Sequence, residues 1–226
     1  MKKLTNEIKE LALSKGADLV GIAPVSRFEL APQDHSPQDI LADARTVIAC
    51  AKRIPNSVVV DGPATSYHVY MDVVEDQLDL IAYQIALFIE QHGGLAIPVS
   101  ADGPYYDWDE QNLRGRGDLS HKHAAQAAGL GRLGKNALLI TPEFGNRVHL
   151  VSVVTNLDLE PDPLIDKELC PPECTLCIEV CPVGAILDGQ RVMQKICRPY
   201  MFSELPRGTM IESCRECRKV CPIGVS

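Results

Sequence analysis

No stretch of this 226-residue chain is apolar for long enough to span a membrane. Its opening, MKKLTNEIKELALSKG, lacks the apolar core of a signal peptide and has no twin arginine; Glu7, Lys9 and Glu10 interrupt it at once. Export and membrane anchoring are therefore not expected, and a cytoplasmic location is. An excess of positive charge is also missing. The 22 Lys and Arg stand against 30 Asp and Glu, for a formal charge of −8, which disfavours a general binder of nucleic acid or anionic membrane. There is no low-complexity segment, and no internal repeat outside the cysteine groups. Cysteine is nearly absent from the first 169 residues, where Cys50 stands alone in the apolar run 47–51 and reads as a buried strand thiol. What remains is an ordinary globular composition, 46% hydrophobic, sized for one large domain or two small ones.

The other eight cysteines fall in the last 57 residues. The first group is Cys170-x3-Cys174-x2-Cys177-x3-Cys181-Pro182; the second is Cys197, then Cys214-x2-Cys217-x3-Cys221-Pro222. Two 4Fe–4S clusters need eight thiolates, and each C-x2-C-x3-C-P run matches the bacterial ferredoxin pattern, whose last cysteine reaches across to the other cluster. That sorts Cys170, Cys174, Cys177 and Cys221 onto one cluster, and Cys181, Cys197, Cys214 and Cys217 onto the other. Zinc sites call for two cysteine pairs per ion and do not call for a proline after the last ligand of both groups. Disulfides belong to exported chains. The chain thus reads as an electron conduit attached to something that it reduces. Residues 191–219 also hold seven basic side chains, Arg191, Lys195, Arg198, Arg207, Arg215, Arg218 and Lys219, against three glutamates. They either offset the negative clusters or form a dock for an acidic electron donor.

Hydrophobic periodicity lays out the rest. Leu4, Ile8, Leu11 and Ala12 recur at helical spacing and Gly16 closes that helix. A strand over 18–24 ends at Pro24, residues 25–45 form a loop with a short helix, and 47–51 is a second strand. Residues 64–92 form the longest helix, with too many apolar positions for one narrow stripe, so deep packing of its C-terminal half is expected. Strands follow at 96–100, 137–140 and 148–155, with an alanine-rich helix over 118–128. Interleaved helices and strands up to about residue 157 make the N-terminal part α/β or α+β, and the proline-bearing stretch 158–166 reads as a linker. Gly129-Leu130-Gly131-Arg132-Leu133-Gly134 matches the dinucleotide fingerprint by letter, but that fingerprint follows a strand and opens a helix. Here a helix precedes it and a strand follows. It is read instead as a helix cap and turn, or as backbone bared for a large flat cofactor.

Ser120-His121-Lys122-His123-Ala124-Ala125 through Gly129-Leu130-Gly131-Arg132-Leu133-Gly134-Lys135-Asn136, followed by the two cysteine groups, resembles epoxyqueuosine reductases. Asp102-Gly103-Pro104, Tyr67-His68 and the stretch from Gly16 to Pro24 resemble further elements of that family, so the likeness covers nearly the whole chain; reductive dehalogenases are more distant relatives. The resemblance implies an α+β architecture: a nitroreductase-like cofactor domain over residues 1–157, then a ferredoxin-like double-cluster domain over 158–226. It implies a cobalamin-dependent reductase that takes electrons from ferredoxin or flavodoxin through two 4Fe–4S clusters. Asp102 would be the proton donor, walled by Tyr105, Tyr106 and Trp108. His121, His123, Gly129, Leu130, Gly131, Gly134, Lys135 and Asn136 would contact the cofactor. His121 and His123, two apart on a helix, face different ways and do not share a metal. The chain departs from the family in its x3 interval after Cys170 and in stopping five residues after Cys221, without the family's C-terminal helical repeats. With its acidity, this points to a small-molecule substrate or a partner redox or corrinoid protein rather than transfer RNA. FMN in place of the corrinoid, or an electron carrier with no organic cofactor, are the other readings.

Overall fold

Period-two alternation builds the centre of the molecule. In the strand Thr46–Arg53, Ile48 and Cys50 face one way while Val47, Ala49 and Ala51 face the other, and both sets are fully buried. A strand apolar on both faces needs a layer on each side. The computed structural model supplies both, and describes residues 2–105, 107–111, 113–187 and 189–224. Four strands form one antiparallel sheet in the order Leu19–Pro24, Thr46–Arg53, Val148–Thr155, Ala96–Val99. The helices Lys2–Ser14 and Ala64–Gln91 cover one face, through Ile8, Leu78, Ile81 and Ile85. The short helix His121–Ala127 covers the other, through Ala124 and Ala125.

That short helix lies close to the sheet because small residues meet there. A Cβ on Gly21 would sit 2.3 Å from the Ala128 carbonyl oxygen, so the side-chain-free position in the strand is what lets the helix settle. The helix starts at His121, not at residue 118: Leu119 turns inward to 4% exposure and Ser120 takes the N-cap position. Gly129, at φ +75°, ends it in the left-handed conformation that favours glycine, and the Leu130 N–H donates to the Ala125 carbonyl at 3.0 Å. A two-residue strand, Arg132–Leu133, follows and pairs with Leu139–Ile140. The order is therefore helix, glycines, strand, the reverse of a dinucleotide site.

The long helix is most deeply packed in its C-terminal half, as its apolar content leads one to expect: Leu78, Ile81, Ala82, Ile85, Ala86 and Ile89 are buried there, after Tyr67, Met71 and Val74 in the first half. The remaining apolar residues Leu80, Tyr83 and Leu87 lie on the outer, exposed face. The stretch 158–166 joins the two parts of the chain and is itself held in place. Asp162 accepts from the Ile22 N–H at 2.8 Å and from Lys9 Nζ at 2.5 Å, Arg27 Nη1 donates to the Asp162 carbonyl at 2.9 Å, and Leu159 is buried. These bonds tie it along the first strand.

The cysteine-rich part carries short hairpins and one-turn helices. Each C-x2-C-x3-C-P run places a one-turn helix, Leu176–Glu179 or Glu216–Lys219, around its middle cysteine, and the two helices pack together. Arginines fix this part to the sheet. Arg147, just ahead of the strand Val148–Thr155, donates to the carbonyls of Cys221 at 3.0 Å and Ile223 at 3.1 Å. Arg218 donates back to the carbonyls of Asn146 and Val148. Arg215 donates to Val59 O at 2.8 Å and lies over the buried Tyr67 ring, 5.1 Å from its centroid. Of the seven basic residues in this stretch, Arg198, Arg215 and Arg218 thus turn toward the first 157 residues, Arg198 to Tyr105, Arg215 to Val59 and Arg218 to Val148, while Arg191, Lys195, Arg207 and Lys219 are exposed. No helix among the described residues is long and apolar enough to cross a membrane.

Candidate functional site

The cysteines come together across long sequence distances. Cys170, Cys174, Cys177 and Cys221 all line one small cavity, of about 20 Å³, together with Lys135, Asn136 and Pro222. Burial pushes the Cys177 thiol up, and its neighbours Cys170 and Cys174 push it further. The second group is read from the same kind of coupling. Burial raises the Cys197 thiol, followed by Cys214 and Cys181. Cys217 is pushed up to about 11, mainly by burial, with Cys197 and Cys214 among the charges that add to it. Thiols crowded in this way resist ionising alone, and bound metal reverses that preference by taking the thiolates directly. Four sulfurs around one cavity, as in the first group, are the donor set that a cluster calls for; in the second group the Ala185 N–H donates to Cys181 Sγ at 3.2 Å. Among the described residues no three His, Cys, Asp or Glu side chains close on a single metal ion. A four-iron cube, larger than one ion, holds its thiolates further apart. Cys50 is apart from all of this, fully buried in the sheet, with its thiol pushed up to about 12 by burial.

Above the sheet lies a second cavity, of about 390 Å³, lined by Asp102, Tyr105, His121, His149 and Arg218 among others. The Tyr105 hydroxyl donates to Asp102 Oδ1 at 3.3 Å, and Arg198 Nη1 donates to the Tyr105 oxygen at 2.9 Å. Arg198 also lies over the stacked rings of Tyr105 and Trp108, 4.8 and 5.1 Å from their centroids. Since Arg198 follows Cys197 in the chain, a continuous set of contacts runs from the second cysteine group to the Asp102 carboxylate. Tyr106 lies outside the described residues.

His121 uses both ring nitrogens, Nδ1 with Ser152 Oγ at 2.9 Å and Nε2 with the Ser100 carbonyl at 2.7 Å. Burial pushes its pKa down, so it is a neutral wall of the cavity rather than a free metal ligand. His123 points elsewhere, bonded through Nδ1 to Ser120 Oγ at 2.7 Å, and lines a third and larger cavity. The two histidines do face different directions.

The glycine segment departs from expectation. Gly129, Leu130, Gly131, Gly134, Lys135 and Asn136 line neither of the larger cavities. A Cβ on Gly131 would meet the Ile140 carbonyl oxygen at 2.2 Å, and one on Gly129 would meet that of Pro163 at 2.1 Å. The backbone is bared for neighbouring backbone, not for a macrocycle. Lys135 Nζ donates to the Cys174 carbonyl at 2.9 Å and Asn136 Nδ2 to that of Cys217 at 3.3 Å, so both brace the cysteine groups. Gly131→Leu should accordingly lower thermal stability and iron content together, by a clash worth several kcal/mol. Iron content left intact, with only an organic cofactor lost, would restore the segment to the cofactor pocket.

Sequence reading missed Glu75 and His149. Glu75 Oε1 is 3.4 Å from His149 Nε2, and His149 Nδ1 is buried without a partner. Burial pushes Glu75 up to about 8, helped by the charges of Asp102, Glu212, Asp72 and Asp79; burial pushes His149 down to about 3. Near neutrality this is a carboxylic acid beside a neutral imidazole, not an ion pair. Neither residue stands in a motif, and only the fold brings the long helix and the strand Val148–Thr155 together here.

No family model matches the chain. The fold is that of a mixed α/β class shared with two kinds of reductase structure. The chain superposes on a catabolic reductive dehalogenase in complex with 3-bromo-4-hydroxybenzoic acid with a TM-score of 0.77, at 19% identity, covering all of this chain and 32% of that one. On the epoxyqueuosine reductase from Streptococcus thermophilus the TM-score is 0.70, at 20% identity, covering 99% and 67%. In sequence, the chain is similar to epoxyqueuosine reductases over nearly its whole length. It is 28% identical to that of Lactococcus garvieae (strain Lg2), over 98% of this chain and 70% of the relative, and 25% identical to that of Bacillus subtilis (strain 168), over 98% and 64%. A shorter alignment with the Bacillus anthracis enzyme reaches 34% over 125 residues, 51% of this chain and only 32% of the relative. The family likeness seen in the motifs therefore extends along the chain, which spans about two thirds of the length of these relatives where it aligns throughout.

Proposed function

We propose that the chain is a reductase that carries two 4Fe–4S clusters and a corrinoid, the latter held in the cavity of Asp102. In this reading residues 1–157 are a nitroreductase-like cofactor domain and 158–226 a ferredoxin-like one. Cys170, Cys174, Cys177 and Cys221 hold one cluster; Cys181, Cys197, Cys214 and Cys217 hold the other. The clusters would supply single electrons and the corrinoid a strongly reducing two-electron centre. The observation that carries the reading is the gathering of Cys221 with Cys170, Cys174 and Cys177 around one small cavity, in a chain similar throughout to epoxyqueuosine reductases.

The residues around Asp102 have their own tasks. The Asp102 carboxyl supplies a proton to the reduced substrate, and Tyr105, oriented by Arg198, then donates to the carboxylate left behind. Glu75, with His149 beside it in the cavity wall, is a proton store one step further back. A catalytic aspartate also sits on a loop that swings out of the active site in the Bacillus subtilis epoxyqueuosine reductase, whose fold this chain shares at a TM-score of 0.69. The substrate is a small molecule, because the excess of acidic over basic residues disfavours RNA. The donor is an acidic ferredoxin or flavodoxin that meets the exposed Arg191, Lys195, Arg207 and Lys219. The absorption spectrum of protein reconstituted anaerobically tests the whole: cluster bands with corrinoid bands are expected. Flavin bands would replace the corrinoid by FMN, and clusters alone would leave an electron carrier.

The proton store has a separate signature. A carboxyl raised from 4.5 to about 8 by folding binds its proton more tightly in the native state, so native stability falls as pH rises between those two values. Glu75→Gln carries no titrating proton and loses that slope. Denaturant unfolding from pH 5 to 9 should show wild type losing about 2–5 kcal/mol more than the variant, at about 1.4 kcal/mol per pH unit. Parallel curves would mean that Glu75 is ionised throughout.

A further inference from the structure

The helix Ala64–Gln91 carries two apolar stripes. One runs from Tyr67 through Met71, Val74, Leu78 and Ile81 to Ile85 and is buried. The other runs through Val69, Val73, Leu80, Tyr83 and Leu87, each between 39% and 56% exposed. It is offset from the first by two residues, about 200° around the helix, so it faces outward. Its spacing is regular. Positions 69, 73, 76, 80, 83 and 87 alternate steps of four and three, which is the a/d seam of a coiled coil. Asp76 is the only polar residue of the six. Scattered exposed apolar residues are ordinary, but five in register over about 27 Å of one helix form a contiguous strip.

Charge decides what fits that strip. The helix holds five carboxylates, Asp72, Glu75, Asp76, Asp79 and Glu90, and no lysine or arginine. Glu75 turns inward to His149, while Asp72, Asp76, Asp79 and Glu90 are exposed. A second copy of the chain suits this face poorly. Laid parallel, it sets Asp72, Asp76 and Asp79 each against itself. Laid antiparallel in the register that keeps the seam, it brings Asp79 beside Asp79. Anionic membrane is disfavoured too, since helices that lie on it carry lysine and arginine on the polar face. A helix with apolar residues at the seam and cations along its flanks matches both the strip and its charge.

We propose that this face docks a basic amphipathic helix of a partner protein, its apolar residues against Val73, Leu80, Tyr83 and Leu87 and its cations beside Asp72, Asp76 and Asp79. Tyr83 is the one aromatic in the seam, a residue type that often carries binding energy. Asp79 also accepts from the Ala101 N–H at 2.7 Å, so the acidic flank reaches the residue before Asp102. The partner differs from the acidic electron donor, which meets the exposed cations of the cysteine-rich part, and the proposal stands whether or not the reductase reading does.

The probe is a fluorescently labelled three-heptad peptide with leucine at a and d and lysine at e and g, titrated with the cluster-loaded protein and read by anisotropy. Saturable binding is expected, weaker at high salt. The same peptide with glutamate at e and g, and the lysine peptide in scrambled order, should each bind at least about tenfold more weakly. Tyr83→Glu and Leu80→Glu should each weaken binding by about tenfold or more. Asp72→Lys with Asp76→Lys should shift the preference toward the glutamate peptide. Leu13→Glu, at an exposed leucine of the helix Lys2–Ser14, should leave binding as in wild type. Unchanged iron content and melting temperature check the fold of each variant. No binding, equal affinity for the scrambled peptide, or equal affinity in Tyr83→Glu and Leu80→Glu would each overturn the proposal. So would a concentration-dependent dimer in sedimentation that Tyr83→Glu abolishes, because a second copy would then cover the face.

Discussion

Cys197→Ser should drop the iron content from about eight to about four per chain, one cluster of two, and stop electron delivery to the Asp102 cavity. Cys197 is the informative cysteine because it belongs to neither C-x2-C run. It sits on the helix Gln194–Met201, sixteen residues after Cys181 and seventeen before Cys214. Its thiol is nevertheless coupled to those two, after burial the largest influences upon it. A ligand supplied from a separate helix fixes that helix as well as the cluster. Loss of the cluster should therefore also loosen Arg198, the next residue, and with it the contact to Tyr105. Low-temperature electron spin resonance of the reduced protein should change from two interacting clusters to one isolated cluster. The comparison is Cys50→Ala, a buried thiol in the sheet, which costs some packing but no iron. Eight irons retained in Cys197→Ser would break the sorting of all eight cysteines, because no other cysteine remains to complete the second set.

Much of this was legible in the chain because the signals were local. The strands ending at Pro24 and running through Cys50 show their periodicity outright, and the C-x2-C-x3-C-P spacing marks the two cysteine groups; the one-turn helices around Cys177 and Cys217 went unread. The joining of Cys221 to Cys170 was readable only because a known pattern encodes it. Where the physics is non-local, reading failed. Gly131 looks the same whether its neighbour is a cofactor or the Ile140 carbonyl, and only the fold decides. The outer apolar positions Leu80, Tyr83 and Leu87 carry the same letters as core positions, and the sheet's location picks which stripe is buried. Glu75 and His149 lie 74 residues apart and meet across two elements. The basic residues of 191–219 read as an offset to the clusters' charge or as a dock for a donor, and neither reading includes the clamps that Arg198, Arg215 and Arg218 form, a use that depends on what the cysteine-rich part packs against.

Asp102→Asn should slow turnover roughly 10²–10⁴-fold, the contribution of a positioned acid to a proton-transfer step, while leaving iron content and cofactor reduction as in wild type. Reduction of a substrate by two electrons leaves a basic site that must be protonated. In the cavity of about 390 Å³ the carboxyl groups available are few: Asp102 and Asp118 line it, and Glu75 stands behind His149. Asp102 is the one with a built environment, since Tyr105 donates to it and Arg198 holds Tyr105. Asparagine keeps the shape and still accepts from the Tyr105 hydroxyl, so the cavity wall should survive; only the transferable proton is gone. The effect belongs in kcat rather than KM, because the interaction lost is made as the proton moves. Tyr105→Phe should cost less, since it removes one donor to the carboxylate and leaves the acid in place. Equal turnover in wild type and Asp102→Asn would reduce Asp102 to a turn residue beside Gly103 and Pro104. The proton would then have to come from Glu75 through His149, and Glu75→Gln should carry the large loss instead.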